Sequence, residues 1–400
     1  MKKKILVVTD YYLPGYKAGG PIRTLANLFE RVGDEFQFCM LTSDRDLGDN
    51  KPYPFAGKKY WQPAGKAQVL YLSQQQRTLL AFHGLLNTFN YDLLFLNSFF
   101  SRMTISILLL RRLGKIPGKP LLLAPRGELA PVALGIKPYK KQPYILLAKW
   151  LGLYKGIYWQ ASTEIERQDI LSIFGQAALT DVSQICIDSI SWIRIAPDLP
   201  SPSPNEESKM PSKPTKQGGT AHIVFLSRIT RKKNLDTALK LLSQVRGQVR
   251  FDIYGPIEDQ IYWQECQALI RQLPPYIRVE YKGSVEAERV PEIFSQYHLF
   301  LFPTRSESFG YVILESLSAG CPVLISDQTP WCNLAEIKAG WDIPLGNPDQ
   351  FHAALNTLIS MDDRLFNDWS QAAREHALKY MHDPALVEGN RKIFLEAFAK

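Results

Sequence analysis

Leu299-Phe-Leu-Phe302 is followed by Pro303-Thr-Arg-Ser-Glu307-Ser-Phe-Gly310, then Tyr311-Val-Ile-Leu-Glu315-Ser-Leu-Ser-Ala319, then Gly-Cys-Pro-Val323-Leu-Ile325. The order reads strand, loop, helix, strand. Four consecutive apolar residues without polar alternation mark a strand buried on both faces, as in a parallel sheet covered by helices. Gly310 opens the helix Tyr311–Ala319, and the short apolar run after it returns the chain to the same sheet.

Working outward, the same alternation fills the chain. Apolar runs at Ile223–Leu226, Val249–Ile253 and Ile277–Tyr281 precede this unit, with helices expected between them. In the first half the strands are expected at Ile5–Val8, Phe36–Leu41, Val69–Leu72, Leu93–Leu96, Leu121–Ala124 and Ile157–Trp159. Helices are expected at Pro21–Arg31, Arg77–Phe89, Arg102–Arg112 and Thr163–Phe174. Between the halves, Pro197 to Thr220 is rich in Pro, Ser, Lys and Gly, so an exposed, mobile linker is expected there. The expected organisation is an α/β domain over 1–196, a linker over 197–220, a second α/β domain over 221–383 and a terminal helix over 384–400. Two such halves imply a cleft between the carboxyl ends of two sheets.

The 400 residues exceed what one ordinary core supports, and 46% hydrophobic with 22% charged is a soluble globular composition. Met-Lys-Lys-Lys followed by Ile5–Val8 is too short an apolar stretch for an export signal, and no window reaches 18 uninterrupted apolar residues. Five cysteines without CxxC spacing fit a reducing compartment, so a cytoplasmic location is expected. Residues 1–200 carry 25 Lys+Arg against 15 Asp+Glu, whereas residues 201–400 carry 22 against 24. The whole net charge of +8 therefore belongs to the first half, either as a solvated basic face or as attraction to anionic lipid or a phosphate-bearing acceptor. Peripheral contact with the inner face of the membrane follows from the second reading. No recognition motif accompanies the charge, so nucleic acid is not expected.

Chemistry concentrates in a few loops. Glu307-Ser308-Phe309-Gly310 ends at a helix start, where backbone N–H groups and a glycine make an anion site, and Glu315 follows Glu307 by eight residues. Carboxylates there suit sugar hydroxyls, although a capping Glu and a solvated Glu would share the spacing. Arg228-x4-Lys233 directly follows the strand Ile223–Leu226 and places two cations at a sheet edge, able to neutralise a diphosphate leaving group. Lys17-Ala-Gly19-Gly20-Pro21 lets a backbone approach a donor phosphate or an acceptor but is not GxGxxG. Arg126-Gly127-Glu128 follows the strand Leu121–Ala124 and offers a cation and a carboxylate on the acceptor side. Asp44-x-Asp46 resembles a metal-binding DxD but reads better as a chance match in a polar loop. The six histidines form no HxxxH or His/Cys cluster, so neither a metal nor another cofactor is expected. GxSxG and GxxxxGK[ST] are both missing.

Arg228-x4-Lys233 together with Glu307-Ser-Phe-Gly-Tyr-Val-Ile-Leu-Glu315-Ser-Leu-Ser-Ala-Gly-Cys-Pro-Val resembles the retaining glycosyltransferases of family 4, also called glycosyl transferases group 1. Ile325-Ser-Asp-Gln-Thr-Pro-Trp331 is similar to a bacterial polysaccharide-type branch of it. The resemblance implies a GT-B fold, two Rossmann-like domains with the last helix returning to the first, and a UDP- or GDP-sugar donor. It implies that Arg228 and Lys233 stabilise the diphosphate and that Glu307 contacts the donor sugar. Ser308 and the amides of Phe309, Gly310 and Tyr311 would lie near phosphate or sugar, Glu315 would hold the ribose, and Gly19-Gly20 would match the N-terminal glycine loop. The acceptor would be a saccharide or lipid-linked, in polysaccharide synthesis. Three positions depart from the pattern: Pro125-Arg126-Gly127-Glu128 where many members carry a histidine, Ala196-Pro197-Asp198-Leu199 ahead of the linker, and His298 in place of an aspartate. A nucleotide-sugar epimerase of the same fold, or a non-catalytic sugar-nucleotide-binding protein, are the competing expectations.

Overall fold

The computed structural model describes residues 2–56, 60–175, 193–201 and 213–399. They divide into two units, Met1–Pro202 with Asp383–Lys400, and Ser203–His382. The first holds β1 (Lys3–Val8), β2 (Phe36–Ser43), β3 (Gln62–Ala64), β4 (Ala67–Leu72), β5 (Leu93–Asn97), β6 (Leu121–Ala124), β7 (Tyr158–Ala161) and β8 (Ile193–Ile195). They form one sheet in the order β3-β4-β2-β1-β5-β6-β7-β8, parallel except for the short β3–β4 hairpin. The apolar run of β1 is buried at the centre: Ile5 to Val8 pair with Leu93 to Leu96 on one side and Phe38 to Leu41 on the other. The helix Gly20–Val32 covers this sheet with Ile22, Leu25, Leu28, Phe29 and Val32, the face set by a 3.6-residue period.

The second unit holds β9 (Thr220–Leu226), β10 (Gln248–Tyr254), β11 (Ile277–Gly283), β12 (Leu299–Phe302), β13 (Val323–Ser326) and β14 (Gly340–Ile343). All neighbours are parallel, in the order β11-β10-β9-β12-β13-β14. This is the doubly wound order in which the first strand lies centrally and the crossovers part between β9 and β12. No helix among the described residues is long and apolar enough to cross a membrane.

The helix Pro384–Phe398 packs within the first unit. Phe394 is buried, with ring centroids 5.4 Å from Phe36, 5.9 Å from Phe38 and 5.6 Å from Phe95. Arg391 pairs with Glu35, and Arg194 Nε donates to Glu396 at 2.9 Å.

The expectation of an exposed linker over 197–220 is corrected at both described ends; Pro202 to Ser212 lie outside the described residues. Asp198 is buried, receiving hydrogen bonds from Arg126 Nη1 and Thr24 Oγ1 at 2.9 Å each. Asn390 Nδ2 donates to the Pro197 carbonyl at 2.7 Å, and Asn27 Nδ2 to that of Leu199 at 2.8 Å. At the other end Lys216 is 2% exposed, its ammonium donating to the carbonyls of Gln217, Ile359 and Met361 at 3.0 Å. A proline-rich stretch has no core of its own, yet at its described ends the Pro197 and Leu199 carbonyls, Asp198 and Lys216 are satisfied by the units they adjoin.

His298, the residue standing where an aspartate was expected, explains part of this. Its Nδ1 accepts the His222 N–H at 3.0 Å, so Nε2 carries the proton and faces the Pro214 carbonyl at 3.2 Å. Burial, with lesser contributions from the charges of His222, Lys216 and Lys213, pushes the imidazole down to about 4, against the opposing pull of the Pro214 carbonyl. A folded-state pKa below the unfolded value means that stability is present above about 6.5 and is lost as pH falls towards 4, by about 3 kcal/mol in all. Urea unfolding at several pH values should show this loss in the wild type. His298→Gln, which keeps an acceptor and a donor but cannot titrate, should decline by about 2–3 kcal/mol less over that window.

Candidate active site

Two loops meet where the crossovers of the second unit part: residues 227–234 after β9 and residues 303–310 after β12. Asn234 joins them. It sits in the left-handed region at φ 64 and opens the helix Leu235–Leu242. Its Nδ2 donates to the Pro303 carbonyl at 2.7 Å, and its Oδ1 accepts from Thr237 Oγ1 at 3.0 Å and Arg305 Nε at 3.1 Å. The Arg305 N–H adds a bond to the Lys232 carbonyl at 2.9 Å. An Asn before an apolar helical run is an N-terminus signal, and it was available in the sequence.

The joined loops bring Lys233 and Glu307 into an ion pair, with side chains only 11% and 12% exposed. Thr304 Oγ1 also reaches Glu307 Oε1 at 3.4 Å, and the Lys233 ammonium stands 5.4 Å from the Phe302 ring centroid. Arg228 lies on the same sheet edge but turns to Glu258, at 3.1 Å, with both side chains about two-fifths exposed (41% and 39%). The two expected diphosphate cations thus rest in different surroundings: Lys233 held in the interior, Arg228 at the surface.

The 303–310 loop is held from its far side as well. Ser326 Oγ donates to the Thr304 carbonyl at 2.5 Å, the Glu307 N–H donates to the Gln328 carbonyl at 2.9 Å, and Trp331 Nε1 donates to the Phe309 carbonyl at 2.7 Å. The segment Ile325–Trp331 is therefore a scaffold for the loop. Gly310 has φ 79, and an added Cβ would lie 2.8 Å from Ile313 Cδ1, so the turn into the helix Tyr311–Ser318 favours glycine. A helix start leaves backbone N–H groups without intrahelical acceptors, which suits an anion. Ser308 precedes that start half-buried, Phe309 is buried against Tyr311 and Trp331, and Glu315 lies half-buried on the second turn.

In the first unit the expected residues separate by role. Gly19 has φ 71, and a Cβ at Gly19 or Gly20 would meet open space at the start of the helix Gly20–Val32. This loop is ordered by Asp46, unnoticed as such in the sequence: Asp46 Oδ2 accepts the amides of Tyr16 at 2.8 Å and Lys17 at 3.1 Å. Asp44 binds the Arg45 guanidinium at 2.8 Å, so both carboxylates of Asp44-x-Asp46 have internal partners. Arg126, at φ 58, is used inward, on Asn97 Oδ1 at 2.8 Å and 3.1 Å and on Asp198. Glu128 accepts the amides of Phe99 at 2.6 Å and Phe100 at 2.9 Å and the Ser98 hydroxyl at 2.8 Å; burial nevertheless raises its pKa. Arg126 and Glu128 shape the carboxyl edge of this sheet through those bonds.

Among the described residues no group of three His, Cys, Asp or Glu is placed to hold a metal ion. Cys39, Cys266, Cys321 and Cys332 are free thiols, and Cys186 lies outside the described residues.

Asn234→Ala should cost about 1–3 kcal/mol, because the buried Pro303 carbonyl loses its donor and a non-glycine residue remains at positive φ. Denaturant unfolding measures this loss.

Residues 206–376 match the family described as Glycosyl transferases group 1. Over 128 residues the sequence is 27% identical to the UDP-N-acetylglucosamine--peptide N-acetylglucosaminyltransferase GtfA subunit of Streptococcus pneumoniae serotype 4, covering 31% of this chain and 21% of that one. Over 163 residues it is 28% identical to O-antigen chain mannosyltransferase B of Escherichia coli, covering 39% and 40%. The chain thus spans between about a fifth and two-fifths of the length of these curated relatives. Among solved structures, Anabaena Alr3699/HepE in complex with UDP and glucose matches with a TM-score of 0.66 at 15% identity, covering 100% of both chains. WaaG, a glycosyltransferase involved in lipopolysaccharide biosynthesis, matches with a TM-score of 0.64 at 14% identity, covering 97% of this chain and 98% of its own. At such identities the likeness is one of fold. The chain has the GT-B fold, and its residues 206–376 are similar to the glycosyl transferases group 1 family.

Proposed function

We propose that the chain transfers a sugar, with retention at the anomeric carbon, from a UDP- or GDP-sugar to a saccharide or lipid-linked acceptor, without a metal, in cell-surface polysaccharide synthesis. The observation that carries this reading is the Lys233–Glu307 pair beside the Gly310 helix start, at the point where the second sheet's crossovers part. Such a point is where open α/β sheets bind nucleotides. Alr3699/HepE is described with UDP and glucose bound, and the Escherichia coli relative is named a mannosyltransferase, which supports a sugar nucleotide as donor.

On this reading the diphosphate takes over Lys233, and Glu307 is released to accept hydroxyls of the transferred sugar. Arg228 exchanges the exposed Glu258 for phosphate oxygens, and Glu315 accepts from the ribose. As the bond from the anomeric carbon to the diphosphate oxygen breaks, negative charge grows on that oxygen beside two cations and a helix start. The acceptor oxygen forms its bond on the face the diphosphate leaves, and its proton passes to the departing phosphate oxygen. No protein nucleophile takes part.

Lys233→Ala should lower turnover by about 10²–10³ while a cooperative melting transition persists. Turnover of wild-type chain should be unchanged by EDTA. Undiminished turnover in the variant, or metal-reversible loss with EDTA, would contradict the proposal. Release of free epimerised sugar without acceptor would favour an epimerase instead.

A further inference from the structure

The helix Pro138–Trp150 is docked on the first unit through one face. Ile145 and Ala148 are buried, Tyr144 is hydrogen-bonded to the Tyr154 hydroxyl at 2.6 Å, and Lys141 donates to the Ala133 carbonyl at 2.6 Å. Its opposite face is apolar too. Tyr139, Leu146, Leu147 and Trp150 are 69%, 68%, 53% and 81% exposed. With Pro143 they occur at i, i+4, i+7, i+8 and i+11, a single stripe along an α-helix. A surface helix of a soluble domain ordinarily turns polar residues outward. Ile136, just before the helix, is also exposed.

The surrounding charge has one sign. From Leu93 to Thr163 the sequence holds eleven Lys and Arg and one acidic residue, Glu128. Glu128 is turned inward onto the amides of Phe99 and Phe100. Among the described residues Lys137, Lys140 and Lys155 are exposed and form no ion pair. Arg111 and Arg112 donate to the carbonyls of Lys155, Gly156 and Leu151, which fixes two more cations beside the end of the helix.

We propose that this face docks on an anionic lipid bilayer, with Tyr139, Leu146, Leu147 and Trp150 at the boundary between headgroups and acyl chains and the lysines on headgroup charge. An aromatic and aliphatic stripe flanked by lysines is the pattern of a helix lying in a membrane interface. A second copy of the chain fits worse. Two-fold pairing through this face would set one cationic surface against another. The docking face is separate from the residues assigned to sugar transfer, and its test needs no turnover.

The full chain is floated with phosphatidylcholine vesicles, with and without phosphatidylglycerol, at low and high salt. It should float only with phosphatidylglycerol and dissociate as salt rises. Leu146→Ser with Trp150→Ser, and separately Lys137→Gln with Lys140→Gln and Lys155→Gln, should each weaken binding roughly tenfold or more. Melting temperatures of both variants should stay near that of the wild type, since all five side chains are exposed. Equal binding to phosphatidylcholine alone, or undiminished binding in both variants, would overturn the proposal. So would failure to bind any vesicle, including the case in which the serine variant converts a dimer to a monomer.

Discussion

A parallel strand cannot be joined to its neighbour by a hairpin, so each step in the second unit needs a crossover, and crossovers from a central strand must part somewhere. They part between β9 and β12. The loops leaving those two strands are then neighbours in space though some 70 residues apart in sequence, as the separations of Asn234 from Pro303 and Lys233 from Glu307 record. Every feature of the candidate site hangs on that adjacency. Asn234 stitches the loops, Lys233 meets Glu307 because they are stitched, and Gly310 turns the second loop into a helix start beside them.

The charges at this edge are arranged for exchange more than for stability. An ion pair about nine-tenths removed from solvent recovers its desolvation cost only with good geometry and further hydrogen bonds, so its contribution to folding is small. The exposed Arg228–Glu258 pair, screened by solvent, contributes little as well. What both arrangements supply is position. The cations are held at the sheet edge by partners that an incoming anion can replace, and the loop carrying Glu307 is tied to Ser326, Gln328 and Trp331, so it need not reorganise.

Much of this was legible because buried parallel strands write themselves as unbroken apolar runs. β6 and β12, and the helix Arg102–Arg112, fall on the residues expected from the sequence. What escaped has physical reasons. β14 reads Gly-Trp-Asp-Ile and β8 reads Ile-Arg-Ile, neither an apolar run. The helix Pro138–Trp150 contains Pro138 and Pro143; the first is tolerated at a helix start, but the second removes an interior N–H and hides the pattern. Composition suggested solvent for the whole of 197–220, whereas Asp198 and Lys216 are buried on partners distant in sequence. Spacing identified Lys233 and Glu307 separately; that they pair with each other is a property of strand order, which spacing does not encode.

A nucleoside diphosphate bound at the carboxyl edge of the second sheet must stabilise the native chain. With EDTA present, a ligand at 100 times its dissociation constant adds about 2.7 kcal/mol, read as a rise in melting temperature. The decisive measurement is a thermal-shift comparison of UDP, GDP, ADP and TDP on the wild type and on Glu315→Ala. Stabilisation by UDP or GDP that is lost in Glu315→Ala is the predicted result. No shift with any of the four would contradict a sugar-nucleotide site at this edge, and with it the proposed transfer.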